Sequence, residues 1–169
     1  MSQLLKNKMK IALAQLNPKV GDVKGNISKL ISIRNDLSKD VDIMVVPELY
    51  VTGYPIDDLV LRNDFLELVE NEISDLAKLT NDGKAAIILG SPRKDEDKIR
   101  NSVFVLDQGK ILSFRDKHNL PNTGVFDEQR IFTPGSLSGP VKIRETLVGL
   151  PICEDCLLYT SPSPRDQAK

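Results

Sequence analysis

The sequence lacks a surplus of charge of either sign. Its 169 residues carry 23 basic and 24 acidic side chains, a formal charge of -1. So even a balance excludes a strongly basic nucleic-acid face or a polybasic membrane surface. Long apolar runs are also missing, and no stretch approaches the about 20 residues that a membrane-spanning helix needs. Met1–Lys10 holds several lysines but neither an apolar core region nor a small-residue cleavage site, so no secretory signal is read. Cysteine is scarce. Cys153 and Cys156 do not make a disulfide framework, and a reducing cytosol is the expected compartment. There is no internal repeat. What is present is ordinary for a folded domain: 40% hydrophobic and 28% charged residues, in a length suited to one domain.

Lys10–Asn17 reads as a buried strand. A turn at Pro18, Gly21 and Asp22 follows, then a helix capped by Asn26, with Ile27, Leu30, Ile31, Arg34 and Leu37 at helical spacing. Val41–Val46 is a short continuous apolar run, as expected of a strand covered on both faces. Pro47 stops it. Asn63 is expected to cap a second helix with Phe65, Leu66, Val69, Ile73, Leu76 and Ala77 inward and Gly83 as its end. Ala85–Leu89 is the next strand. Asn101–Leu106 and Lys110–Phe114 flank a glycine turn and read as a hairpin. After a long polar stretch, Arg115–Pro140, Leu147–Ile152 is the last expected strand. The order β-α-β-α-β-β-β-loop-β predicts a mixed sheet with helices on one face, in the α/β or α+β class.

The end of the chain changes character. Cys156–Lys169, CLLYTSPSPRDQAK, has no capping logic and no period. It could be a Ser/Pro linker. We read it instead as a non-native tail, because Cys156–Asp166 matches one translated frame of a sequencing adapter. On that expectation residues 1–155 form a partial domain, Cys153 is its one native thiol, and the C-terminal part of the domain is absent.

Three polar residues sit just past apolar strands: Glu48 within VVPEL, Lys117 after Lys110–Phe114, and Cys153 after Leu147–Ile152. Each has an ordinary reading. Cysteine is often a small buried hydrophobe, Glu48 could be a loop carboxylate, and Lys117 and the neighbouring His118 could be solvated. Glu154 and Asp155 beside Cys153 argue against a ready thiolate, since negative charge raises a thiol pKa. Taken together, however, a thiol nucleophile, a carboxylate base and a cationic stabiliser make a sensible machine for attack on an amide.

The segments KIALAQLNPKVGDVKGN (Lys10–Asn26), VVPELYVTGYPIDDL (Val45–Leu59), LGSP (Leu89–Pro92), LPNTGVFDEQRIFTPG (Leu120–Gly135) and ICED (Ile152–Asp155) carry a resemblance. The sequence resembles the nitrilase superfamily of carbon–nitrogen hydrolases, and within it the N-terminal glutaminase domains of glutamine-dependent NAD synthetases. The resemblance implies an α-β-β-α sandwich, incomplete here at the C-terminus. It implies Glu48 as general base, Lys117 as the catalytic lysine and Cys153 as nucleophile. Tyr54, Phe126 and Glu154 match substrate-binding positions, with the Glu154 backbone N–H also serving the oxyanion, and Glu128 matches an auxiliary carboxylate. Thr123 stands where the family usually has an aromatic, which would open one wall of the pocket. Glutamine is the implied substrate. No metal or cofactor is expected in this chain. ATP and magnesium belong to the synthetase domain expected to follow it, with a homo-oligomer as the implied assembly. Alternatives are a stand-alone amidase acting on another small amide, or an inactive fragment.

Overall fold

The computed structural model describes residues 8–158. Its strands are β1 (Ile11–Leu13), β2 (Ile43–Val45), β3 (Ala86–Asp95), β4 (Lys98–Asp107), β5 (Lys110–Asp116), β6 (Val141–Ile143) and β7 (Thr146–Val148). Its helices are α1 (Val23–Asp36), α2 (Asn63–Leu79) and the short α3 (Glu154–Leu158), with 3-10 turns at Asp57–Leu61 and Glu128–Arg130. Strands β1 to β5 form one sheet in chain order. Its first two pairings are parallel and its last two antiparallel, which is the expected mixed sheet. Parallel neighbours need a crossover, and α1 and α2 supply the two.

Alternation along the strands decides the layers. Met44, Ile87, Leu89, Phe104 and Leu106 pack against the apolar stripes of α1 and α2. Ile43, Ala86, Ile88, Val103 and Val105 point the other way, onto Val141, Ile143 and Ile152. The second face is therefore covered by the β6–β7 ribbon, a separate two-stranded sheet. The six inward positions expected for α2 are all buried. No described helix is long and apolar enough to cross a membrane.

Six local expectations are corrected. The first strand is only Ile11–Leu13 and largely exposed, not a buried strand over Lys10–Asn17. Helix α2 ends at Leu79, capped by Thr80, before Gly83 is reached. Asp22, not Asn26, caps α1, its carboxylate accepting from the Gly25 N–H. Asn26 lies inside the helix and is buried, because its side chain accepts from Lys19 N and donates to the Lys19 and Val51 carbonyls. Asn63 is the first residue of α2 rather than its cap, and its side-chain Oδ1 accepts from Lys94 Nζ. Strand β3 continues past Leu89 to Asp95 and turns back into β4, an unforeseen hairpin. Pro92 is tolerated there because β2 has ended by Val45, leaving that edge of β3 without a ladder partner. The last expected strand is paired only over Thr146–Val148, and Gly149 and Pro151 interrupt the rest. The proposed tail begins inside α3, with Cys156, and residues 159–169 lie outside the described part.

Candidate active site

Glu48 is positioned by what surrounds it. Leu49, Tyr50 and Val51 are fully buried, and Leu49 takes a positive φ of 50°. The loop therefore turns sharply inward after β2. It lies directly on Gly90 of β3, where a Cβ would come within 2.6 Å of Leu49 N and Pro47 O. Only glycine admits that approach. Hydrogen bonds from Val46 N to Ile88 O and from Val51 N to Gly90 O pin the loop on both sides.

Lys117 extends β5, its N–H donating to Asn101 O at 2.7 Å. The side chain is wholly buried (0% exposed), against the reading of a solvated lysine. Its Nζ donates to Glu48 Oε1 at 2.7 Å and to Glu128 Oε1 at 2.9 Å. Glu128, from the second 3-10 turn, is also buried and accepts from the Tyr54 hydroxyl at 3.0 Å. Asn101 on β4 donates from Nδ2 to Glu48 Oε1 at 2.7 Å and to Glu128 Oε2 at 3.4 Å. Burial works to lower the Lys117 pKa, but its hydrogen bonds to the two carboxylates outweigh it and hold the ammonium above its ordinary range. Burial, Glu128, Glu48 and Cys153 all push the Tyr54 phenol up, so its proton stays on to donate.

Cys153 enters α3 with φ 45°, a left-handed conformation that is strained for a residue with a Cβ. Its turn is held by Cys156 N to Cys153 O at 2.9 Å and Asp155 N to Ile152 O at 3.0 Å. The Asp155 carboxylate also accepts from the backbone N–H of His118 (3.0 Å) and Asn119 (2.7 Å). That clips the Cys153 turn to the segment just after Lys117. Burial first, then Glu48, pushes the thiol up; Lys117 opposes, and Glu128 and Glu154 add to the rise. The expected effect of acidic neighbours is thus present for Glu154, whereas Asp155 is spent on backbone amides.

Glu48, Asn101 and Cys153 open on one groove of about 360 Å³, floored by Val45, Ile88 and Gly90 and edged by Ile152. Lys117 is not among its lining residues and meets it through its bond to Glu48. Tyr54 and Phe126 are not among its lining residues; their rings pack 6.4 Å apart beside Glu128. Glu154 is half-buried next to Cys153, and Thr123 is exposed. His118 is half-buried, its Nδ1 bonded to Gly135 O at 2.7 Å. A larger hollow of about 690 Å³, around Arg115, His118 and Leu137, includes none of Glu48, Lys117 or Cys153. Among the described residues no cluster of His, Cys, Asp and Glu could hold a metal ion. Sequence reasoning missed Gly90, Asn101 and Asp155. A buried asparagine opening an apolar strand was the available signal for Asn101. The arrangement offers a thiol, a carboxylate reaching the same groove, and a buried cation: the parts of a nucleophilic attack on a carbonyl.

Comparison with known proteins agrees with this chemistry. Residues 10–160 match the carbon-nitrogen hydrolase family. The glutamine-dependent NAD(+) synthetase of Thermotoga maritima is 40% identical over 157 residues, 92% of this chain and 27% of that protein. That of Rhodobacter capsulatus is 36% identical over 150 residues, 88% and 27% respectively. The chain therefore spans 27% of the length of these curated relatives. The structure of the Acinetobacter baumannii glutamine-dependent NAD+ synthetase with ADP superposes with a TM-score of 0.80 at 36% identity, over 88% of this chain and 28% of that one. An amidase from Nesterenkonia sp. shares the fold, with a TM-score of 0.64 at 19% identity over 79% of this chain and 50% of its own. The chain belongs to the carbon-nitrogen hydrolase family, and the relatives above at 36–40% identity are glutamine-dependent NAD synthetases.

Proposed function

We propose that this chain is the glutamine-hydrolysing part of an NAD synthetase and works through a thioester on Cys153. The observation that carries the reading is the Glu48–Lys117–Glu128 cluster, whose half-buried member Glu48 lines the groove that also holds Cys153. Because burial and carboxylates push the thiol up, a standing thiolate is disfavoured and base-assisted attack fits better. Glu48 takes the thiol proton as sulfur attacks the side-chain amide carbon of glutamine. Lys117 has three N–H donors and spends two on carboxylates. The third is left for the developing oxyanion, with the Glu154 backbone N–H as second donor. One such donor is typically worth about 3 kcal/mol. Glu48 then passes its proton to the leaving ammonia, and the thioester remains. Water, losing a proton to Glu48, attacks the thioester and releases glutamate with the thiol restored. Tyr54, Phe126 and Glu154 are the proposed substrate contacts.

On this reading the ammonia serves ATP- and magnesium-dependent amidation of nicotinic acid adenine dinucleotide to NAD, by a synthetase domain following this one in the intact protein. Residues 156–169 would then be non-native, and the intact protein a cytoplasmic homo-oligomer. The test is ammonia release from glutamine by the protein that carries this chain. Cys153→Ala abolishes it while ammonia-supported NAD synthesis survives. Glutaminase activity retained in that variant overturns the assignment, and equal rates on other small amides point to a stand-alone amidase instead.

A further inference from the structure

We propose that Asn101 is a positioning residue that orients the base; the inference rests on the glutaminase reading above. Asn101 is 1% exposed on β4 and touches all three charged members of the cluster. Its backbone carbonyl accepts from Lys117 N, and its side-chain amide bridges Glu48 and Glu128. The orientation of that amide is set by chemistry. Turned over, its oxygen would face two carboxylates. As placed, both donors serve carboxylates, and among the described residues Asn101 Oδ1 has no hydrogen-bond partner. An asparagine present only to stabilise the strand would be expected to satisfy its own buried acceptor. Here that acceptor is left unpaired in favour of Glu48.

The consequence falls on one atom. Both bonds to Glu48, from Lys117 Nζ and from Asn101 Nδ2, land on Oε1 at 2.7 Å. Oε2 is thereby left as the oxygen that receives the Cys153 proton. The groups facing this amide and its carboxylates come from every packed element: Glu48 and Tyr54 after β2, Lys117 after β5, Glu128 from the 3-10 turn, and Cys153 and Glu154 at α3. Removing the amide takes away one of the two bonds that fix Glu48 Oε1, so the carboxylate loses its set orientation toward the groove.

The experiment measures glutamine-dependent ammonia release by the full protein. Asn101→Ala is expected to lower kcat at least tenfold and leave KM within threefold. Asn101→Ser, whose hydroxyl can donate to one carboxylate, recovers part of kcat and also serves if the alanine variant does not fold. Folded variants with kcat within twofold of the parent, or with KM raised as much as kcat falls, overturn the proposal. So does a variant that only melts earlier. A parent protein that releases no ammonia from glutamine overturns the glutaminase reading, and this inference with it. An active parent with indifferent Asn101 variants overturns this inference alone.

Discussion

Opposing fields meet at the Cys153 sulfur: burial and three carboxylates hold its proton on, and Lys117 alone pulls the other way. Removing one charge at a time should therefore move its reactivity in opposite directions. Alkylation by iodoacetamide, followed peptide by peptide so that Cys156 does not contribute, is expected to reach half its maximal rate at a pH above that of free cysteine. Glu48→Gln lowers that midpoint and Lys117→Met raises it; equal midpoints in all three would contradict the fields described. Lys117→Met also leaves Glu48 and Glu128 facing each other without a cation. Breaking a buried pair in this way typically costs about 3–5 kcal/mol, to be read from urea unfolding. Glu48, Lys117 and Cys153 were legible in the sequence as polar residues following apolar strands. The burial of Lys117 was not, because its partners Glu48 and Glu128 lie 69 and 11 residues away and no local pattern announces them. Asn101 heads an apolar run, but its partners Glu48 and Glu128 lie 53 and 27 residues away, so its contacts were not legible.

At the scale of elements, the Glu48 loop depends on one missing side chain. Gly90→Ala would place a Cβ 2.6 Å from the backbone at Pro47 and Leu49 and 2.9 Å from Glu48 Cα. Backbone cannot move aside as a flexible side chain does, so the loop must lift. Overpacking of this kind costs about 1–3 kcal/mol, and the displaced base costs activity as well. Gly139→Ala, where a Cβ meets nothing within 4 Å, is the neutral control in melting and in ammonia release. A second clamp joins α1 to the turn before β3. Arg34 donates to Ala85 O and to both oxygens of Asp82, each at 2.8 Å. The guanidinium hydrogen bonds, against some burial and with help from Lys84 N, lower the Asp82 carboxyl to about 2. A depressed carboxyl stabilises the fold above its unfolded pKa, about 3.9, and loses that contribution as pH falls through its folded value. The Asp82 side chain is 34% exposed, so solvent screening keeps the contribution near about 1 kcal/mol. The stability difference between parent and Asp82→Asn is expected to be constant above about pH 4 and to vanish toward pH 2. The elements themselves were legible where period or composition marked them, as in α2 and the β4–β5 hairpin. The β3–β4 hairpin escaped because its turn uses Glu96 at φ 56° and Asp97, with no glycine to mark it. The Leu147–Ile152 run looked like a strand from composition, but Gly149 and Pro151 deny it a ladder.

At the scale of the whole molecule, the two faces of the sheet are unequally covered. Helices α1 and α2 close one face, while on the other the β6–β7 ribbon reaches Ile43, Ile88 and Val103 but not the edge strand β1. Ile11 and Leu13 share that second face, paired in register with Ile43 and Val45, and are 50% and 71% exposed. Leu147, on the ribbon itself, is exposed too. Ile11 and Leu13 line the groove that holds Cys153, so this apolar edge and the candidate site are one region. Apolar patches beside an open strand edge invite association. Among the described residues, none covers Ile11 and Leu13 on this face. Expressed alone, the chain is therefore expected to bind the dye ANS and to sediment heavier than its monomer. Leu13→Lys combined with Leu147→Lys reduces both signals while leaving the melting temperature of the helix-covered core nearly unchanged, since neither side chain is buried in it. A dye-silent, cooperatively melting monomer would show that the ribbon covers more of the sheet than its contacts indicate. The groove would then be finished as it stands, and glutamine hydrolysis by the 169 residues alone would be the outcome to look for.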